Sequence, residues 1–402
     1  MSLANSSQTY GSVTKTFHWL TALLIVTLIP LGIYANGLPY ETSEELALKA
    51  QVFSMHKTLG VFAFFVALAR IVWALSQPKP APLHPDRKAE TLAAEVVHWL
   101  LYGSLVLVPL SGWIHHAATS GFAPIWWPLG QDLPLVPKSE ALASLTAGLH
   151  IVFERVLVVS VFLHVAGALK HRVIDRDATL ARMLPGTPNV PQLTDGTHSV
   201  VLPAAVAAGV WVVALFIGST LGVYDKHTGS VQAAALEDVQ SDWVVESGAV
   251  NITVTQLGSD VQGQFADWTA SISFDDSVTE GVAGAVEVTL SIGSLKLGSV
   301  SSQAMGADFF NAEAFPTATY SADIIASADG YTSQGTLTIK DQTMPVTFPF
   351  DLSVESGVAR MTATTSLDRR DFAIGTGTQP DEGNIGFGVG VDISLTARET
   401  SE

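Results

Sequence analysis

The sequence predicts two unlike parts in one chain: an all-α membrane bundle, followed by an all-β antiparallel barrel. Three observations carry this. The first 225 of the 402 residues hold five mostly apolar stretches of membrane-spanning length, at about 17–36, 52–76, 93–117, 147–170 and 200–224. Each has the 18 or more apolar residues needed to cross roughly 30 Å of hydrocarbon. From about Trp243 the pattern changes to period-two alternation of strand-forming residues. The charge divides at the same place: residues 1–230 carry 14 Lys/Arg against 13 Asp/Glu, and residues 231–402 carry 6 against 24, a net of −18.

The acidic second half argues against nucleic-acid binding, since phosphate contacts need clustered Lys and Arg. The chain has no cysteine. That excludes iron–sulfur clusters, thiolate-ligated haem and covalent attachment of c-type haem. It also means that a core, not disulfides, must stabilise the barrel. Met1 to Thr16 are polar and lack the apolar core of a signal peptide. The first span is therefore expected to act as its own insertion signal.

The loops set an expected orientation. QPKPAPLHPDRKAE after the second span and KHRVIDRDATLARML after the fourth are basic. The loops after the first and third spans are acidic or nearly uncharged, and Trp126 and Trp127 in the latter fit an interfacial aromatic belt. By the positive-inside rule the N-terminus and both basic loops are cytoplasmic. The fifth span, VVLPAAVAAGVWVVALFIGSTLGVY, then delivers everything after Tyr224 to the periplasmic side. It has no ionisable residue between Val200 and Val223 and reads as a tether.

Histidines punctuate the spans. An imidazole in hydrocarbon is costly unless something binds it, so an intramembrane histidine is a functional-site candidate. His18 enters the first span, His56 the second, and His150 and His164 lie at the two ends of the fourth. Fourteen residues at 100° each come within about 40° of four turns, so His150 and His164 share one helix face about 21 Å apart. The topology puts His18 and His164 at cytoplasmic depth, and His56 and His150 at periplasmic depth. Two ligands at matched depth on different helices can hold one b-type haem, so two haems stacked across the membrane are expected. His98 shares the cytoplasmic depth, and His115 and His116 lie near the periplasmic end of the third span. Spacing alone does not rank His98 against His18. His84, His198 and His227 read as solvated.

The segments FHWLTALLIV, MHKTLGVFAFFVALARIVWAL, HWLLYGSLVLVPLSGWI, GLHIVFERVLVVSVFLHVAGALKH and RDATLARMLP, in this order, resemble the bacterial di-haem cytochrome b561 family over about residues 10–186. The resemblance implies His18 and His164 on a cytoplasmic-side haem, and His56 and His150 on a periplasmic-side haem. It matches His98 to a position that is not an axial ligand, and His171 to a histidine associated with the quinone region. Arg70 could meet a haem propionate or simply snorkel. The family stops at four helices, so the fifth departs from it.

Eight alternating segments follow, from GAVNITVTQLG to IGFGVGVDISLTA, separated by Gly, Asp, Ser and Asn turn signals. Eight strands close into a barrel that can hold one elongated ligand. This half has neither histidine nor cysteine, so a haem or transition-metal site is not expected there, nor a nucleophile–base pair. Asp275 and Asp276 read as a solvated turn. DFFNAEAFPTATYSADII, GTLTIKDQTMPVTFPFDL and LDRRDFAIGTG resemble the YceI-like family of lipocalin-type barrels over about residues 235–398. That resemblance implies an apolar channel for a polyisoprenoid, such as a quinone tail. It also marks Arg369, Arg370 and Asp371 as a strand-end motif with either a turn or a ligand role.

The expected organisation is a di-haem domain at 10–186, a linker with the fifth helix at 187–234, and a periplasmic barrel at 235–402. The expected function is electron transfer in the bacterial inner membrane between quinone or quinol and a periplasmic redox partner, which could be superoxide in a superoxide oxidase-like reaction. Two haem b, and ubiquinone beside them, are the implied cofactors; membrane lipid and a barrel-bound polyisoprenoid are the implied lipid partners. Two other readings stay open: a periplasmic lipid carrier anchored by its helices, and a cytochrome b subunit of a larger oxidoreductase.

Overall fold

A computed structural model of the chain describes residues 2–128, 130–186, 190, 200–224, 232–237 and 239–400. His198 and His227 lie outside the described residues. The chain divides into two compact units, one formed by residues 1–38, 51–118 and 124–227, the other by 39–50, 119–123 and 228–402.

Five helices long and apolar enough to cross a membrane account for the first unit's architecture: α1 (Ser12–Gly37), α2 (Ser43–Leu75), α3 (Lys88–Ala118), α4 (Glu140–Lys170) and α5 (Val201–Thr220). Every expected span is present, but α1, α2, α3 and α4 begin earlier than their apolar runs. In α2 the extension is SEELALKA, good helix formers with Glu44 and Glu45 in the first turn, where they complement the helix dipole. Ser139 caps α4 by accepting from Leu142 N. A π-helical turn (His171–Asp175) follows α4, and Arg176 at φ 54° then reverses the chain.

α5 packs on α3 and α4 through small residues that admit large ones, a common device between membrane helices. The Trp211 ring sits beside Gly103 of α3 and edge-on to Phe153 of α4 at 5.2 Å. Tyr224, just past α5, lies against Gly148 of α4 and Gly218 of α5. A side chain at either glycine would meet the tyrosine. The fifth helix is thus a packed member of the bundle as well as a link in the chain.

In the second unit, one antiparallel sheet contains ten strand segments: β1 (Trp243–Gln256), β2 (Ser259–Phe265), β3 (Trp268–Phe274), β4 (Gly281–Ser291), β5 (Leu295–Lys296), β6 (Thr317–Ser327), β7 (Gly330–Ile339), β8 (Gln342–Glu355), β9 (Val358–Asp368) and β10 (Ile385–Glu399). Their order across the sheet is β3-β4-β6-β7-β8-β9-β10-β1-β2-β5. The sheet curls, and residues entering β1 close on β3: Asp242 N donates to Ile272 O, and Trp243 Nε1 to Phe274 O. The result is a curled antiparallel half-barrel.

The sequence reading gives eight strands where the structure has ten segments, for two local reasons. SDVQGQF pairs as β2 along the whole end of β1, but only Val261 and Phe265 of it are buried, too sparse an apolar set to read as alternation. The long AVEVTLSIGSLKL segment is broken by a 3₁₀ turn at Ile292–Ser294 into β4 and the two-residue β5.

Close strand approach makes one glycine obligatory. A Cβ at Gly335 on β7 would collide with the Ser321 carbonyl oxygen and with Ala322 on the paired β6. Gly335→Ala should destabilise the sheet by about 3 kcal/mol, at the upper end of overpacking costs. Thermal unfolding of the detergent-solubilised protein, followed by β-sheet circular dichroism, would show a lowered barrel transition; an unchanged midpoint would contradict the packing described.

Candidate functional site

Within the helical unit, the structure brings three histidines together at one level. His18 (α1) and His164 (α4) have ring centroids 6.0 Å apart, and His98 (α3) lies 5.3 Å from His164 in an edge contact. The first spacing is informative. Two imidazoles bound to one metal from opposite sides, with metal–nitrogen bonds of ~2.0–2.1 Å, have centroids roughly 6 Å apart. The His18–His164 pair meets that requirement. The edge-on contact of His98 with His164 is shorter, at 5.3 Å. Trp19 Nε1 donates to Met183 O at 2.8 Å, and Lys15 Nζ donates to Leu184 O and Gly186 O, which pins the chain after α4 against the start of α1.

At the second level each ring occupies a notch left by a glycine. A Cβ at Gly32 of α1 would come 2.8 Å from His56 Cε1, and one at Gly112 of α3 would come 3.0 Å from His150 Nδ1. His150 Nδ1 also lies 2.8 Å from Val108 O. That contact places the ring proton on Nδ1 and leaves Nε2 with a free lone pair, the form a metal-ligating imidazole takes. His56 Nδ1 is buried with no partner at good hydrogen-bond geometry among the described residues, the Leu28 carbonyl lying beside the ring. The imidazoles present are therefore of the kind that can ligate haem iron. Nearby, His115 Nδ1 lies 2.8 Å from Ala143 O, and the His115 and His116 rings touch edge-on at 4.7 Å. Arg70 places its guanidinium 5.5 Å from the Tyr102 ring centre.

Beyond α4 the structure corrects the reading of His84 as solvated. His84 Nε2 lies 3.0 Å and His171 Nδ1 2.7 Å from the same oxygen, Asp177 Oδ2, and the two rings stack 6.2 Å apart at 8°. Burial would raise the Asp177 carboxyl, but hydrogen bonds from Thr179, His171 and His84 outweigh it and hold it at about 2. Nothing local in the sequence signals this clasp, because the His84–Asp177 contact joins residues 93 positions apart.

The half-barrel encloses a cavity of about 210 Å³ lined almost wholly by apolar side chains. The lining is the alternation made physical: Val250, Ile252 and Val254 from β1, and Val389, Val391 and Ile393 from β10, all point inward. Polar groups at the wall are few, among them Gln256, Gln303 and Arg369. Arg369 is 3% exposed, and its guanidinium donates to the carbonyls of Ile374, Gln379, Asp381, Ile385 and Gly386 at 2.7–3.1 Å. Arg369 thus braces the turn while also standing on the cavity wall. Arg370 forms a bidentate pair with Asp368 and lies over the Phe387 ring at 3.8 Å. Asp275 and Asp276 are exposed, with Asp275 accepting from Ser277 as a solvated turn does.

Comparison with known proteins matches this two-part architecture. The prokaryotic cytochrome b561 family matches residues 9–186, and the YceI-like domain family matches residues 243–397. Cytochrome b561 homolog 2 of Escherichia coli (strain K12) is 31% identical over 189 residues, covering 46% of this chain and 95% of that protein. The probable superoxide oxidase CybB of Yersinia pestis is 24% identical over 178 residues, covering 44% of this chain and 96% of that protein. Among solved structures, Burkholderia cenocepacia BcnA is 27% identical, with a TM-score of 0.35, covering 37% of this chain and 95% of that one. The fold and the histidine-rich interior define a helical membrane cytochrome joined to a curled β domain. The chain belongs to the prokaryotic cytochrome b561 family and carries a YceI-like domain, and the family implies haem b.

The barrel's lower loops depend on one carboxylate. Asp308 accepts from Gly377 N, Thr378 N and Thr378 Oγ1 at 2.6–3.0 Å. Burial opposes its ionisation, but these bonds win and lower its pKa below the ordinary 3.8. A depressed carboxyl stabilises the fold fully above its unfolded pKa and loses that contribution as pH falls through the folded one. The stability gap between the wild-type protein and Asp308→Asn should thus be constant near neutrality and close as pH drops below about 4. A gap that persists unchanged at pH 2 would refute the role given to Asp308.

Proposed function

We propose that this protein is a di-haem b-type cytochrome of the bacterial inner membrane that moves electrons between the quinone pool and a periplasmic donor or acceptor. In this reading residues 10–186 form the redox domain, 187–234 the linker with the fifth helix, and 235–402 a periplasmic barrel that holds an isoprenoid chain. The observation that carries the redox reading is the 6.0 Å spacing of His18 and His164. It joins the glycine-backed His56 and His150, which make a second ligand pair at the other depth. Bound haem supplies one-electron chemistry that no side chain here provides.

The chain's own residues hold and orient. Val108 fixes the His150 tautomer, while Gly32 and Gly112 leave space for rings that would otherwise be displaced. A quinone headgroup is assigned to the cytoplasmic end of α4 beside His171, where protons can be exchanged with water. The Yersinia pestis relative bears the name of a superoxide oxidase, and superoxide is one donor that fits. It gives up one electron to become dioxygen, and two such electrons with two protons convert a quinone to a quinol.

The cavity supports the second part of the reading. An apolar pocket with few wall polar groups suits a long hydrocarbon and offers little to a polar metabolite. Because the wall has neither histidine nor cysteine, a transition metal has no usual ligand there.

Two outcomes are expected. Purified His56→Ala should retain one haem per chain where the wild type holds two, with the His18–His164 haem still redox-active. Haem quantitation that returned two per chain would refute the ligand assignment, and a wild-type protein purified without haem would leave the lipid-carrier reading. Solvent extraction of the purified full-length protein should release an isoprenoid quinone in excess of that recovered from a cavity-filling Ala318→Trp variant. Equal recovery from both would rule out the barrel as the isoprenoid site.

A further inference from the structure

We propose that His84, His171 and Asp177 form a binding site for a divalent transition-metal ion, at the end of α4 and separate from the four intramembrane ligands. The three side chains come from two segments and converge so that their donor atoms all lie within 4.8 Å of one another. Two imidazole nitrogens and one carboxylate oxygen are a set that binds zinc and other divalent ions of borderline softness.

Convergence comes from the backbone. His84 sits in a loop with prolines at 78, 80, 82 and 85, which restrict the chain before any ligand arrives. His171 opens the π-helical turn at the end of α4, and Arg176 in the left-handed region turns the chain so that Asp177 returns beneath it. Asp177 Oδ1 is held by Thr179 N at 2.8 Å, which aims Oδ2 at the two rings.

The distances approach those of a metal site. Tetrahedral coordination with bonds of ~2.0–2.1 Å separates donor atoms by roughly 3.3 Å. The nitrogen–oxygen distances here are 2.7 and 3.0 Å, so an ion could enter with small outward shifts of each side chain. On binding, each ligating nitrogen exchanges its hydrogen bond for a bond to the metal, and the ring proton resides on the other nitrogen, which on His171 is Nε2, the atom left for the quinone headgroup of the proposed function. The nearby cations Arg87 and Lys170 are paired with carboxylates other than Asp177, namely Asp175 and Glu90. Asp175 takes both, with Arg87 Nη1 at 3.0 Å on Oδ1 and Lys170 Nζ at 2.9 Å on Oδ2. Asp175 Oδ2 is itself 3.1 Å from His171 Nδ1, and it would have to release Lys170 to complete the shell. The site fastens the loop between α2 and α3 to the end of α4, so an occupying ion would tie these segments together.

The test is Zn²⁺ titration of the full-length, haem-loaded protein after chelator treatment, with metal content measured by elemental analysis. The wild type should hold one zinc per chain that is lost, with affinity lowered tenfold or more, in both His84→Ala and Asp177→Asn. Their visible haem spectra should match the wild type, which separates loss of the site from loss of the fold. His84→Gln, a side chain of similar reach, serves where the alanine variant does not fold. Wild-type protein that retains no zinc, or variants that bind it as tightly as the wild type, would reduce the cluster to a hydrogen-bonded clasp and overturn the proposal. The readout is metal content, so it stands or fails independently of electron transfer.

Discussion

An imidazole ring in the hydrocarbon layer is the constraint on which the helical unit depends. Its polar nitrogens cannot be left to solvent there, and each must be met by protein or by a bound group. The helices meet that demand in two ways. Some rings are tied to backbone, as His115 is to Ala143 and His150 to Val108. Others face a partner ring or a glycine notch and keep a nitrogen for something else, as with the His18–His164 pair and with His56 behind Gly32. Two of the bundle's glycines follow from placing these rings. Gly32 and Gly112 are there because a side chain would occupy the imidazole's space.

The β unit solves the opposite problem. Its interior is apolar on every long strand, and the difficulty is the turn after β9, where several carbonyls are left inside. Arg369 meets it by donating to five of them, a buried charge held by the chain's own carbonyls. Cavity chemistry is thereby left to hydrocarbon contacts, which select for length and apolarity more than for any functional group.

Much of this was legible in the sequence because hydrophobic length and period are strong signals. All five spans could be read from apolar runs, though the start of α2 could not, since SEELALKA is helical by propensity while too polar to register as a span. The lining of the cavity could be read from alternation in β1 and β10; β2 could not, because only two of its seven residues are buried. The four candidate haem histidines stood out by depth. Ranking His18 above His98 rests on family resemblance, since both reach the same level on different helices. The His84–Asp177–His171 clasp was illegible for another reason: a proline-rich loop has no periodicity, and its partner lies 93 residues away. The carbonyl-filling role of Arg369 was visible only as one of two options, because a turn motif looks the same whether its donors meet backbone or ligand.

The central claim is that four imidazoles from three helices ligate two haems, each from both sides. Electron paramagnetic resonance of the oxidised, purified wild-type protein, integrated against haem and protein content, tests it most directly. Two low-spin ferric signals of bis-imidazole type, summing to two spins per chain, are the predicted result. A single signal, or a high-spin species amounting to one spin per chain, would contradict the ligation proposed for both haems.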